Sequence, residues 1–179
     1  GAGYFSAVVP GQSGGAGVAF YVEAADNGGV RAATRFPNGA PVRECLIRFG
    51  EPAQSGSFGT YRFWISQRTL NRWNSRAKNN NRPLDATFVH GTNRVMYTME
   101  TLYSGSPFVS PGYSGPLGGL CGYVLRFHDD DLFLGNDDFV LDWPIRDGSQ
   151  QAEQAAYWIG KEIGAVHLYR RFIHLYLNG

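Results

Sequence analysis

Lysine is nearly missing. Of 16 basic residues only Lys78 and Lys161 are lysines and the other fourteen are arginines, so chemistry that needs an ammonium group has two candidates and the fixed planar charge of arginine dominates. Cysteine is as scarce. Cys45 and Cys121 are the two in the chain, and neither sits in the short Cys-x-x-Cys spacing of zinc or dithiol sites. They read as isolated buried thiols, with a disulfide closing a long loop as the alternative in a secreted protein. An excess of either charge sign is lacking too: the formal net charge is +1, and without a basic stripe there is no electrostatic case for nucleic acid. No apolar run approaches the length of a membrane span. Gly1-Ala2-Gly3 shows neither an initiator Met nor the charged lead into a signal core, so location is not read from these residues.

What is present describes a folded chain. An apolar share of 43% with 15% aromatics over 179 residues suffices for one domain, or one plus part of another. Tyr4 to Val9 and Val18 to Ala24 read as strands around the turn Gly11-Gln12-Ser13-Gly14-Gly15, similar to the closing strands of an immunoglobulin-like or fibronectin-like sandwich. Arg35 to Pro41 reads as a boundary. Beyond it, strands are expected over Val42–Phe49, Tyr61–Ile65, Leu84–Val89, Arg94–Leu102, Leu120–Phe127, Phe139–Trp143 and Arg171–Leu177. Ser66 is a candidate N-cap for a helix to about Ala77, with Leu70, Trp73 and Ala77 on one face. A second helix is expected from Gln150 to Ile163, capped by Asp147 or Ser149, stopped by Gly164, and turning Ala152, Ala155, Ala156, Ile159 and Ile163 to the sheet. Ser104 to Gly119, rich in proline and glycine, reads as a long loop. Asn178-Gly179 after an alternating run is a hairpin-turn signal without a returning strand, so the chain reads as a fragment.

Several motifs are weaker than their text. Gly11-Gln12-Ser13-Gly14-Gly15 spells the nucleophile elbow, but that elbow needs a strand entering a helix, and a strand follows here. Asp129-Asp130-Asp131 invites a calcium loop, which needs alternate ligands, a glycine at the sixth position and a closing glutamate, but Phe133 sits where the third ligand should be, and the segment reads as a solvated turn. His90, His128, His167 and His174 have no metal-ligand spacing, so no metal site is expected.

A longer set of segments carries a resemblance: Pro83-Leu84-Asp85-Ala86-Thr87-Phe88-Val89, Tyr103-Ser104-Gly105-Ser106-Pro107-Phe108, Cys121-Gly122-Tyr123, Asp129 to Gly135, Glu153 to Ile159 and Arg170 to Gly179. In this order and spacing they resemble the amino-terminal lobe of the spore-coat protein H (CotH) kinase-like family. The resemblance implies an α+β fold. Residues 42–179 would form a partial kinase-like lobe of antiparallel strands with two helices, and residues 1–38 the strands of an incomplete β-sandwich. It also implies a secreted or surface bacterial protein, and, in an intact active member, transfer of phosphate from ATP with Mg to serine or threonine of a surface or coat protein. The chain departs from the family at the loop Tyr103-Ser104-Gly105-Ser106, which lacks its arginine, and at the following strand, where Arg126 is the one cation. Lys78 and Lys161 do not stand in for the strand lysine, and the family's metal-ligand acids would follow Gly179.

This implies a fragment without catalysis and without a bound cofactor of its own. Arg126, as phosphate contact, and Glu153, as orienting carboxylate, are the site candidates and are expected to approach one another; the alternative is two separate surface charges. The rival function is a non-catalytic extracellular module binding glycan or a protein partner, with no nucleic acid and no membrane span in either case.

Overall fold

The computed structural model describes residues 3–53, 56–105, 115–117, 121–143 and 148–179. Ten strands and two helices are seen among them: β1 (Gly17–Phe20), β2 (Val22–Ala25), β3 (Ala33–Phe36), β4 (Cys45–Arg48), β5 (Gly59–Trp64), α1 (Gln67–Ser75), β6 (Leu84–His90), β7 (Arg94–Ser104), β8 (Gly122–Arg126), β9 (Asp138–Leu141), α2 (Ala152–Glu162) and β10 (Ile173–Leu177). The fold is mixed α+β, built on a curled six-stranded sheet of order β10-β5-β6-β7-β8-β9. Its strands pair antiparallel except β10, which runs parallel to β5. Two smaller ladders, β1 with β4 and β2 with β3, complete the strand pairing.

Period-two alternation divides the sheet into two faces. The inner face carries Phe63, Phe88, Met99, Tyr123 and Leu125, all buried, and receives Leu70 and Trp73 from α1. Ser66 caps α1 as its residue type predicts, its Oγ accepting the Thr69 N–H at 3.3 Å. Ala77 lies outside the helix and is exposed. On the outer face β4 covers part of the sheet: Leu46 packs with Trp64, Val89 and Val95, and its N–H donates to Thr87 Oγ1 at 3.3 Å.

Several expectations are corrected. Tyr4 to Val9 forms no strand and is exposed; without a covering sheet, its alternation has nothing to bury against. The strand expected over Val18 to Ala24 breaks at Tyr21 into β1 and β2, and β1 pairs with β4 instead of with a preceding strand. Not one residue of α2 is buried, so its alanine-rich face does not pack on the sheet. Ser149 Oγ accepts the Gln151 N–H at 3.2 Å next to the helix start, and Asp147 lies outside the described residues, as does most of the long loop, 106–114 and 118–120. Gly164 ends the helix with φ +71°, the left-handed conformation that glycine tolerates.

The acidic turn is not simply solvated. Leu134 and Gly135 both have positive φ and fold the chain back, which drives Phe133 into the inner core, 3% exposed and in edge contact with Tyr61, Phe88 and His90. Asn178, with φ 55°, continues β10 along β5: its side-chain Oδ1 accepts the Ile65 N–H at 2.8 Å and its Nδ2 donates to the Ile65 carbonyl at 3.0 Å.

Cys45 and Cys121 are free thiols, so the disulfide does not form. The sheet separates them, since β4 lies against the outer face while Cys121 packs on the inner cluster. Burial pushes each thiol up to about 11, which keeps both protonated and unreactive near neutrality. No helix among the described residues is long and apolar enough to cross a membrane.

Candidate functional site

Antiparallel register brings side chains from different strands into rows. On the outer face one such row runs Asp85, Glu100, Arg126, Asp138, each residue the cross-strand partner of the next on β6, β7, β8 and β9. The β4 layer stops short of this end of the sheet, and a groove of about 400 Å³ opens over it, lined by Arg43, Glu100, Arg126, Phe127, His128, Asp129, Asp137 and Asp138.

Arg43 closes one side of the groove. It projects from the segment before β4, and its guanidinium grips Asp85 through Nε and Nη2 at 2.6–3.1 Å. That hydrogen bonding raises the Arg43 pKa above its ordinary value. Arg126 is held more loosely: its nearest carboxylate oxygen, on Glu100, is 3.9 Å away, and its side chain is 51% exposed. Four carboxylates therefore stand around two guanidiniums, one of which is already engaged by a fifth acid, Asp85.

A strained backbone borders the groove. Between the pairs Phe88↔Met96 and Ala86↔Met99, Thr87 faces both Tyr97 and Thr98, a β-bulge in which buried Thr98 takes φ 52°. A β-branched residue in the left-handed region costs about 1–2 kcal/mol. Thr98 Oγ1 lies 3.4 Å from Nε2 of His128, one of the groove residues.

Of the two residues singled out in the sequence, Arg126 lies in this groove and Glu153 does not line it. Glu153 forms its ion pair with Arg170, the residue that leads toward β10. Each of the expected partners therefore has a different one. Helix α2 brings Glu153 to Arg170 because Gln154 also anchors there, its amide donating to the Arg170 carbonyl at 3.5 Å. The sequence reading missed Arg43, Glu100, Asp137 and Asp138. Alternation within each strand marks Glu100 as facing away from the core, but only the register shows that it meets Arg126.

Among the described residues no group of three or more His, Cys, Asp or Glu side chains converges as a metal site. No protein-family model matches the chain, and no curated protein matches it in sequence.

Proposed function

We propose that the chain is a non-catalytic binding module whose outer-face groove takes a basic segment of a protein partner, in the secreted or surface setting that the CotH resemblance implies. The observation that carries this reading is the charge of the groove: Glu100, Asp129, Asp137 and Asp138 outnumber Arg43 and Arg126. A nucleotide triphosphate is strongly anionic and is repelled by such a lining, whereas a lysine or arginine side chain is attracted and steered to it. The bulge at Thr98 supports the assignment, since bulges and residues with unfavourable φ cluster beside functional sites.

An atypical kinase lobe over residues 42–179, preceded by sandwich-like strands in 1–38, is the second reading. One observation favours it, the presence of Arg126 in the groove. The engagement of Glu153 by Arg170 favours it less, because phosphoryl transfer needs the cation and its orienting carboxylate side by side.

Isothermal titration of the full chain separates the readings. An arginine- and lysine-containing peptide is expected to bind with an affinity that falls as salt rises, and a Glu100→Gln/Asp138→Asn double variant is expected to weaken it at least tenfold. Neutral oligosaccharides are expected to give no heat of binding, and Mg·ATP none that depends on Arg126. Saturable Mg·ATP binding that Arg126→Gln abolishes, without peptide binding, overturns the module in favour of the kinase-like lobe, and oligosaccharide binding alone overturns the choice of a protein partner.

A further inference from the structure

A second site is independent of the groove and lies at the end of α1. Arg76 caps that helix, and its guanidinium carbon stands 4.7 Å from the centre of the Trp73 ring and 5.0 Å from that of Tyr103. One of its nitrogens, Nη1, donates to the Arg82 carbonyl at 2.6 Å. The other two, Nε and Nη2, are closed off from solvent and meet no acceptor among the described residues. Among the described residues no carboxylate forms an ion pair with Arg76. Trp73, 1% exposed, has an Nε1–H that likewise meets no acceptor among the described residues.

This combination is costly for a structural arginine. A buried donor without an acceptor bears its full desolvation penalty, and a charged donor bears more. Stacking on two aromatic rings offsets part of the charge but satisfies no N–H group. Cys121 interacts electrostatically with Arg76, yet burial pushes its thiol up to about 11, so near neutrality it supplies no negative charge.

We propose that Arg76 and Trp73 form a binding site for a small oxyanion, a carboxylate or phosphate group, gripped by the Nε/Nη2 edge of the guanidinium. The chain itself displays this geometry elsewhere: Arg43 uses the same two nitrogens on the carboxylate of Asp85. Two parallel N–H groups match a pair of oxygens on one centre, which a halide cannot offer. In the proposed site the Trp73 N–H adds a neutral donor to the two charged ones, so an oxyanion is selected by shape as well as by charge.

The test uses the full chain at constant ionic strength, with chloride replaced stepwise by phosphate in one series and by acetate in another, and reads the thermal midpoint after equilibration. A saturable rise is expected with an oxyanion but not with chloride, since a ligand that binds the folded state raises its stability by mass action. The phosphate series reads a phosphoryl ligand and the acetate series a carboxylate, and a rise in either supports the site. Arg76→Lys keeps the charge but loses the fork and is expected to weaken the response at least tenfold, while Arg72→Lys, an exposed arginine in the same helix, leaves it unchanged. Trp73→Phe keeps the ring and removes the N–H; it is expected to weaken the response several-fold and decides the matter if Arg76→Lys does not fold. Midpoints that follow chloride and oxyanions alike overturn the proposal, as does an oxyanion response that survives both substitutions.

Discussion

Removing Arg43 tests whether the segment before β4 is fastened to the sheet by charge. Its fork reaches Asp85 on β6 with contacts of 2.6, 2.9 and 3.1 Å, and the side chains are 35% and 18% exposed. Fully exposed pairs contribute about 0–1 kcal/mol, and hydrogen bonds to charged groups about 1.5–3 kcal/mol. A half-covered bidentate pair falls between, with a coupling of about 1.5 kcal/mol. The single substitutions should differ. Arg43→Ala leaves Asp85 across from Glu100, its register partner, so two carboxylates face each other with only the loosely held Arg126 beside Glu100; about 2 kcal/mol is expected. Asp85→Ala leaves Arg43 still under the attraction of Glu100, and about 1 kcal/mol is expected. For a chain of this size that is a fall in thermal midpoint of about 4–8 °C for Arg43→Ala and about half as much for Asp85→Ala. A double-mutant cycle by urea unfolding gives the coupling directly. A coupling below about 0.3 kcal/mol would place the pair with screened surface charges, and a larger loss for Asp85→Ala than for Arg43→Ala would refute the role given to Glu100.

Two further outcomes are expected. Phe133→Ala removes the side chain that the acidic turn inserts among Tyr61, Phe88 and His90 and should cost about 3–5 kcal/mol in urea unfolding; a loss under about 1 kcal/mol would return the turn to solvent. Cys45 and Cys121, each pushed up to about 11 by burial, should react with a disulfide reagent only on unfolding. Their pKa values are higher folded than unfolded, so the native state keeps its protons while the unfolded chain loses them. Stability from this source is therefore unchanged below about pH 8.5 and falls as pH rises toward 11. Rapid labelling of either thiol in the folded protein at pH 7.5 contradicts this, as does stability that rises through the same alkaline range.

The elements were legible where burial leaves a periodic trace. Ser66 with Leu70 and Trp73 marked α1 because a capping oxygen and one turn of apolar spacing are local facts. The strands from β5 to β9 were legible because one face of each is held in a core and alternation records it. Alanine misled in α2. A row of small residues looks like a packing face, yet each alanine buries so little apolar area that nothing compels the helix onto the sheet, and no residue of α2 is buried. The parallel pairing of β10 with β5 was hidden too, since alternation gives a strand's faces but neither its neighbour nor its direction.

The groove was illegible for a related reason. Glu100, Arg126 and Asp138 are ordinary outward charges when each strand is read alone, separated along the chain by 26 and 12 positions. They become a site only when β7, β8 and β9 pair in a register that sets them side by side. Hydrophobic alternation fixes that register by demanding that Thr101, Leu125 and Phe139 align on the other face. A one-residue slip would turn every inner side chain outward. The charged row is thus a by-product of the packing that buries Leu125, and its composition can change while the sheet remains. The bulge at Thr98 is where the two requirements meet. It resets the phase of β7, so that Met96 and Met99, three positions apart, both reach the core, and Glu100 falls on the outer face opposite Arg126. Without the extra residue, the strand could not bury both methionines and still present Glu100 to the groove.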